Sequence, residues 1–71
     1  MQIYMINITL NGEPFELEGS EDIPALISQM GADGKRIAIM LNSSVVSRHD
    51  WDKTPLKEGD SVEVLVFAGG G

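Results

Sequence analysis

A chain of 71 residues, 42% apolar and 23% charged, has the length and make-up of one small globular domain. Its 11 acidic and 5 basic residues leave a net charge of −6, which repels phosphate backbones and argues against nucleic acid, while favouring encounter with a basic protein face. Cysteine is absent and His49 is the only histidine, which excludes disulfides, thiolate or histidine-cluster metal sites and a cysteine nucleophile. No apolar run approaches the ~20 residues that span a bilayer and no secretory signal opens the sequence, so a cytoplasmic protein without membrane contact is expected.

In chain order, Met5 to Leu10 alternates, with Ile6, Ile8 and Leu10 on one face and Asn7 and Thr9 on the other, the pattern of a half-buried strand. Asn11-Gly12 supplies the left-handed dihedrals of a tight hairpin. Glu13 to Glu18 alternates again around Phe15 and Leu17. Pro14 lacks a backbone donor, which places this second strand at a sheet edge. The period then changes: Ile23, Leu26, Ile27 and Met30 form the stripe of a short amphipathic helix. Asp22 is its expected N-cap, Pro24 fits the first turn and Gly31 is a natural stop.

Ala32 to Arg36 reads as a loop and Ile37 to Leu41 as an inner strand. Asn42-Ser43-Ser44 turns the chain, and Val45-Val46 begins a short fourth strand. Arg48 to Leu56 has no clear period and reads as a helical turn around Trp51 followed by an irregular crossing. Lys57 to Asp60 is a turn. Ser61 to Phe67 is the last strand, with Val62, Val64 and Val66 on one face and Leu65 and Phe67 on the other. The order β-β-α-β-β-β, with one helix for one sheet, predicts a two-layer α+β domain over residues 1–67, followed by a flexible glycine tail over 68–71.

The familiar catalytic constellations are missing: there is no GxSxG, P-loop or GxGxxG. Ser43 and Ser44 read as turn residues and His49 as a solvated one. Glu13, Glu16, Glu18, Glu21 and Asp22 read as a solvated face that protects a sheet edge. Trp51 reads as a core plug.

That leaves Ala68-Gly69-Gly70-Gly71. These residues are either a frayed terminus or cloning remnant, or a working part. Glycine has no Cβ, so such a segment can thread a channel too narrow for any other residue. Four extended residues reach roughly 13 Å, enough to enter a partner's active site. The terminal carboxylate is ionised at neutral pH and is a poor electrophile until it gains a leaving group such as AMP. On this reading Gly71, with Gly70, is the chemically active end of a protein substrate, and Ala68 and Gly69 contact the partner as they thread its channel. The folded body must dock first to offset the ordering cost. Leu65 and Phe67, with Met40, are the candidate docking patch. A second layer or a second copy covering them is the competing reading.

The ordered set of motifs resembles a known family. "ITLNGEPFEL", "IPALISQM", "IAIMLNSSVVSRHDW" and "TPLKEGDSVEVLVFAGGG" together resemble the ThiS sulfur carriers of thiamine biosynthesis, across residues 5–71. Arg48 and Trp51 fall on that family's Arg and Trp positions, and Gly70 and Gly71 on its terminal Gly-Gly. Met1 to Tyr4 precede the point where many members begin, as a native extension of the first strand or the product of an upstream start.

The resemblance implies a ubiquitin-like β-grasp roll with a mixed sheet, the last strand parallel to the first in its middle. It implies a carrier rather than an enzyme. An E1-like adenylyltransferase (ThiF-type), using ATP and magnesium, would adenylate the Gly71 carboxylate, with no cofactor bound by the carrier. Sulfur from a cysteine-desulfurase donor would replace AMP to leave a thiocarboxylate. A thiazole synthase (ThiG-type) would then take the sulfur. A sibling carrier serving molybdopterin, cysteine or tRNA thiolation, and a β-grasp interaction module with an inert tail, are the alternatives.

Overall fold

The computed structural model describes residues 5–19 and 21–67. The domain boundary expected at residue 68, the glycine tail beyond it and the extension Met1 to Tyr4 therefore lie at or outside its limits.

The opening alternation builds β1 (Met5–Leu10) and β2 (Glu13–Glu18), an antiparallel hairpin pairing Leu10 with Glu13 and Met5 with Glu18. Asn11 and Gly12 turn it with φ of 50° and 82°, the left-handed pair that a two-residue hairpin requires. The inward side chains Ile6, Ile8 and Leu17 are buried.

The helix α1 (Ile23–Met30) has the expected limits. The Ala25 N–H donates to Asp22 Oδ1 at 2.9 Å, so one orphan donor of the first turn is satisfied. Gly31 ends the helix at φ 73°. Ile23, Leu26 and Ile27 are buried against the sheet. With only eight residues, it is held by that packing rather than by propensity.

A 3₁₀ turn, Gly34–Arg36, leads into β3 (Ile37–Leu41), which pairs antiparallel with β4 (Ser44–Val46). A second 3₁₀ helix, Arg48–Lys53, carries Trp51 into the core. Its Nε1–H donates to the Val46 carbonyl at 3.1 Å, which answers the buried indole's need for a partner. Then β5 (Ser61–Val66) runs up the centre of the sheet, whose order is β2-β1-β5-β3-β4. It is parallel to β1 and antiparallel to β3. Pro14 lies on edge strand β2, where its missing donor costs nothing. The result is two layers, a mixed five-stranded sheet with one main helix, as a β-grasp requires. Leu17, Ile23, Leu26, Ile39, Leu56 and Val62 are fully enclosed between the layers. No helix among the described residues is long and apolar enough to cross a membrane.

One detail of β5 departs from the alternation. Val62 and Val64 are buried, but Val66, which should share their face, is 73% exposed. The strand extends one rung beyond the core, so parity no longer decides burial there.

Candidate functional site

The end of β5 is where the tail joins the body, and the structure fixes its surroundings up to Phe67. On the β3 side the strand is held firmly: Ile37 pairs with Val66 and Ala38 with Leu65. The Phe67 N–H donates to the Arg36 carbonyl at 2.8 Å. Phe67, the last described residue, is thus anchored to the sheet.

The sheet face turned away from α1 splits into two halves. Across the ladders Ala38 stands beside Leu65, and Met40 lies between Glu63 and Val45. Leu65 (50% exposed), Phe67 (56%) and Val45 (73%) are open to solvent, while Ala38 and Met40 are half-buried. These five side chains make one apolar patch beside the root of the tail. On the β1–β2 side the same face carries Glu16 and Glu18, which lie opposite Asn7 and Met5. Glu58 is also there; its Oε1 accepts from the Asn7 N–H at 2.8 Å. The exposed face is therefore apolar next to the tail and acidic away from it, with Glu63 on the border.

The structure brings together Leu65, Phe67 and Met40, the three docking residues expected from the sequence. Ala68, Gly69, Gly70 and Gly71 lie outside the described residues. Ala38, Val45 and Val66 escaped notice in the sequence. Val45 had a signal: once Val46 is assigned to the Trp51 side, its neighbour must face outward. Ala38 sits inside an unbroken apolar run, which carries no facing information.

Arg48 and Trp51 form a second cluster, behind the sheet. The guanidinium carbon stands 4.9 Å from the indole centroid, and Nη1 donates to the Gly34 carbonyl. Arg48 thus links the two 3₁₀ segments. His49 is exposed. A shallow acidic cleft lined by Glu21, Asp22, Asp52, Lys53 and Pro55 lies at the start of α1. Among the described residues no group of three or more His, Asp or Glu could hold a metal ion.

The ThiS family model matches residues 8–71. A crystal structure of the thiamine biosynthesis protein ThiS from Geobacter metallireducens superposes with a TM-score of 0.78 at 38% identity, covering 93% of this chain and all of that one (100%). The sulfur carrier protein ThiS of Thermus thermophilus is 36% identical over 64 residues, 90% of this chain and 98% of its own length. A thiazole synthase from Magnetococcus marinus is also 36% identical, over 66 residues that are 93% of this chain; the chain spans only 20% of that synthase's length. Fold, element order and the match through the Gly-Gly end agree, and the chain belongs to the ThiS family of sulfur carriers.

Proposed function

We propose that this chain carries sulfur for thiazole formation in thiamine biosynthesis, on the carboxylate of Gly71. The body docks on an E1-like adenylyltransferase through Ala38, Met40, Val45, Leu65 and Phe67. Ala68 to Gly71 then enter a channel that only glycine-like backbone can pass. With ATP and magnesium the partner converts the carboxylate to an acyl-adenylate and releases pyrophosphate. Sulfur originating at a cysteine desulfurase displaces AMP; if it arrives as a persulfide, a thiol supplies the two electrons that free the thiocarboxylate. The thiocarboxylate is a better nucleophile than the carboxylate it replaces, and a thiazole synthase consumes it.

The observation that carries this reading is positional. The Gly70-Gly71 end lies within the segment matched by the family model, a few residues beyond a central strand that finishes on exposed apolar side chains, Leu65 and Val66, with Phe67 next. The occurrence of a similar segment inside thiazole synthases supports thiazole formation over the sibling pathways. The test is intact-mass spectrometry after incubation with ATP, magnesium, the adenylyltransferase and sulfide. The expected result is a gain of about 16 Da, oxygen exchanged for sulfur. An unchanged mass would overturn the reading in favour of an inert tail.

A further inference from the structure

The hydrogen bonds between β1 and β5 run out before β5 does. From the beginning of the ladder, Asn7 accepts from the Gly59 N–H at 2.8 Å, and the Thr9 N–H donates to the Asp60 carbonyl at 2.9 Å. The Asn11 N–H donates to the Val62 carbonyl at 2.9 Å. The final rung is made by a side chain: the Val64 N–H donates to Asn11 Oδ1 at 2.7 Å. There the hairpin turns away.

Register shows what is left over. Ser61 and Phe67 both bond toward β3, through Asn42 and Arg36. Residues of β5 therefore alternate, odd numbers facing β3 and even numbers facing β1. The Val66 N–H and carbonyl, and the Val64 carbonyl, point to the β1 side beyond its end. None has a hydrogen-bond partner among the described residues. The same rung is apolar and open on both faces, with Leu65, Val66 and Phe67 all at least half exposed. An extended apolar segment with one free edge is a template for another strand.

We infer that the enzyme receiving the tail adds an extended segment of its own to this edge, pairing with Val64 and Val66. The inference rests on the carrier reading above. A second copy of the chain is a poor occupant: each carries a charge of −6, and one free rung offers too short a ladder to hold two like-charged bodies. A partner segment bearing basic or neutral side chains meets no such penalty beside Glu63. Added there, it lies alongside the last residues before the tail, and keeps them extended as they enter the cleft.

The test removes one backbone donor. Val66→Pro deletes the N–H that faces the free edge while leaving the bonds to β3 in place; Val66→Ala is the reference for side-chain loss. Both are titrated calorimetrically against the adenylyltransferase. The proline variant is expected to bind about 10-fold more weakly than the alanine variant; equal affinities would overturn strand addition. Amide exchange on the unsubstituted carrier gives a second readout that does not depend on the variant folding. The Val66 N–H should exchange freely alone and about 100-fold more slowly in the complex, and an unprotected Val66 in the complex overturns the inference. If the unsubstituted carrier loads sulfur normally while these tests fail, only strand addition falls. If it neither binds nor loads, both readings fall.

Discussion

The side chain of Asn11 stands in for backbone, accepting from the Val64 N–H at 2.7 Å across 53 residues of sequence. Asn11 also turns the hairpin at φ 50°, so one residue serves local geometry and long-range closure. Glycine tolerates the dihedral but cannot make the bond. Asn11→Gly should therefore cost about 1–2 kcal/mol, from a part-buried donor left unpaired. Urea denaturation measures it; unchanged stability would mean water replaces the amide without loss.

Two glycines near the helix end should respond oppositely to alanine. Gly31 has φ 73°, and Gly31→Ala should destabilise by about 1 kcal/mol through backbone strain. Gly34 has no such dihedral, and an added Cβ would meet Trp51 Cζ3 at 3.7 Å and Ile27 Cγ2 at 3.8 Å. These are ordinary contacts. Gly34→Ala should be neutral, or stabilising by up to about 0.5–1 kcal/mol through the unfolded chain. Thermal melts of the pair decide it; a lower Tm for Gly34→Ala than for Gly31→Ala contradicts the geometry.

Trp51 should be the most sensitive single position outside the sheet. It fills the core and bonds Val46. Trp51→Phe keeps much of the packing but strands the Val46 carbonyl, at about 1–3 kcal/mol. Trp51→Ala should cost about 3–5 kcal/mol, comparable with the whole stability of a small domain, of order 5 kcal/mol. Arg48→Ala removes an exposed cation–π contact and the exposed hydrogen bond to the Gly34 carbonyl, together worth about 1–1.5 kcal/mol. Far-ultraviolet circular dichroism ranks the three, and the order reverses if Arg48 rather than Trp51 holds the 3₁₀ helix.

Docking and stability should separate cleanly on the outer face. Leu65→Ser and Phe67→Ser alter exposed side chains and should change stability by no more than about 0.5 kcal/mol. Their affinity for the adenylyltransferase should fall by roughly 10-fold or more. Wild-type affinity in both variants would move the docking surface elsewhere.

Loss of Gly71 should abolish sulfur loading with Tm unchanged, since every hydrogen bond described for the body remains. Gly70→Val should bind normally yet fail to load, because a branched side chain cannot follow the tail's path. Intact mass and calorimetry read the two effects separately. Normal loading of Gly70→Val would argue against a narrow channel.

Local signals were enough for the hairpin, the helix limits and the parity of β5 as far as Val64. Asn11-Gly12, Asp22, Gly31 and the alternating valines each act within a few residues of themselves. The two 3₁₀ segments were harder to read, because distant bonds hold them: Arg48 to Gly34 and Trp51 to Val46. Parity failed at Val66 for a global reason, the limited depth of the core. Of the site, Leu65, Phe67 and Met40 could be chosen from the sequence. Val45 and Ala38 joined them only when register set β4 and β5 on either side of β3. The free rung at Val66 depended on where β1 stops, which no local pattern encodes.

Placing β5 at the centre also orders events in time. A ribosome makes β1 to β4 first, and until Ser61–Val66 emerges the sheet is two separate hairpins with no strand between them. Closure of the body must wait for the segment that leads into the tail. Chains cut short before it would keep open strand edges, so a complete sheet is built only in molecules that already carry the segment leading into the glycine tail.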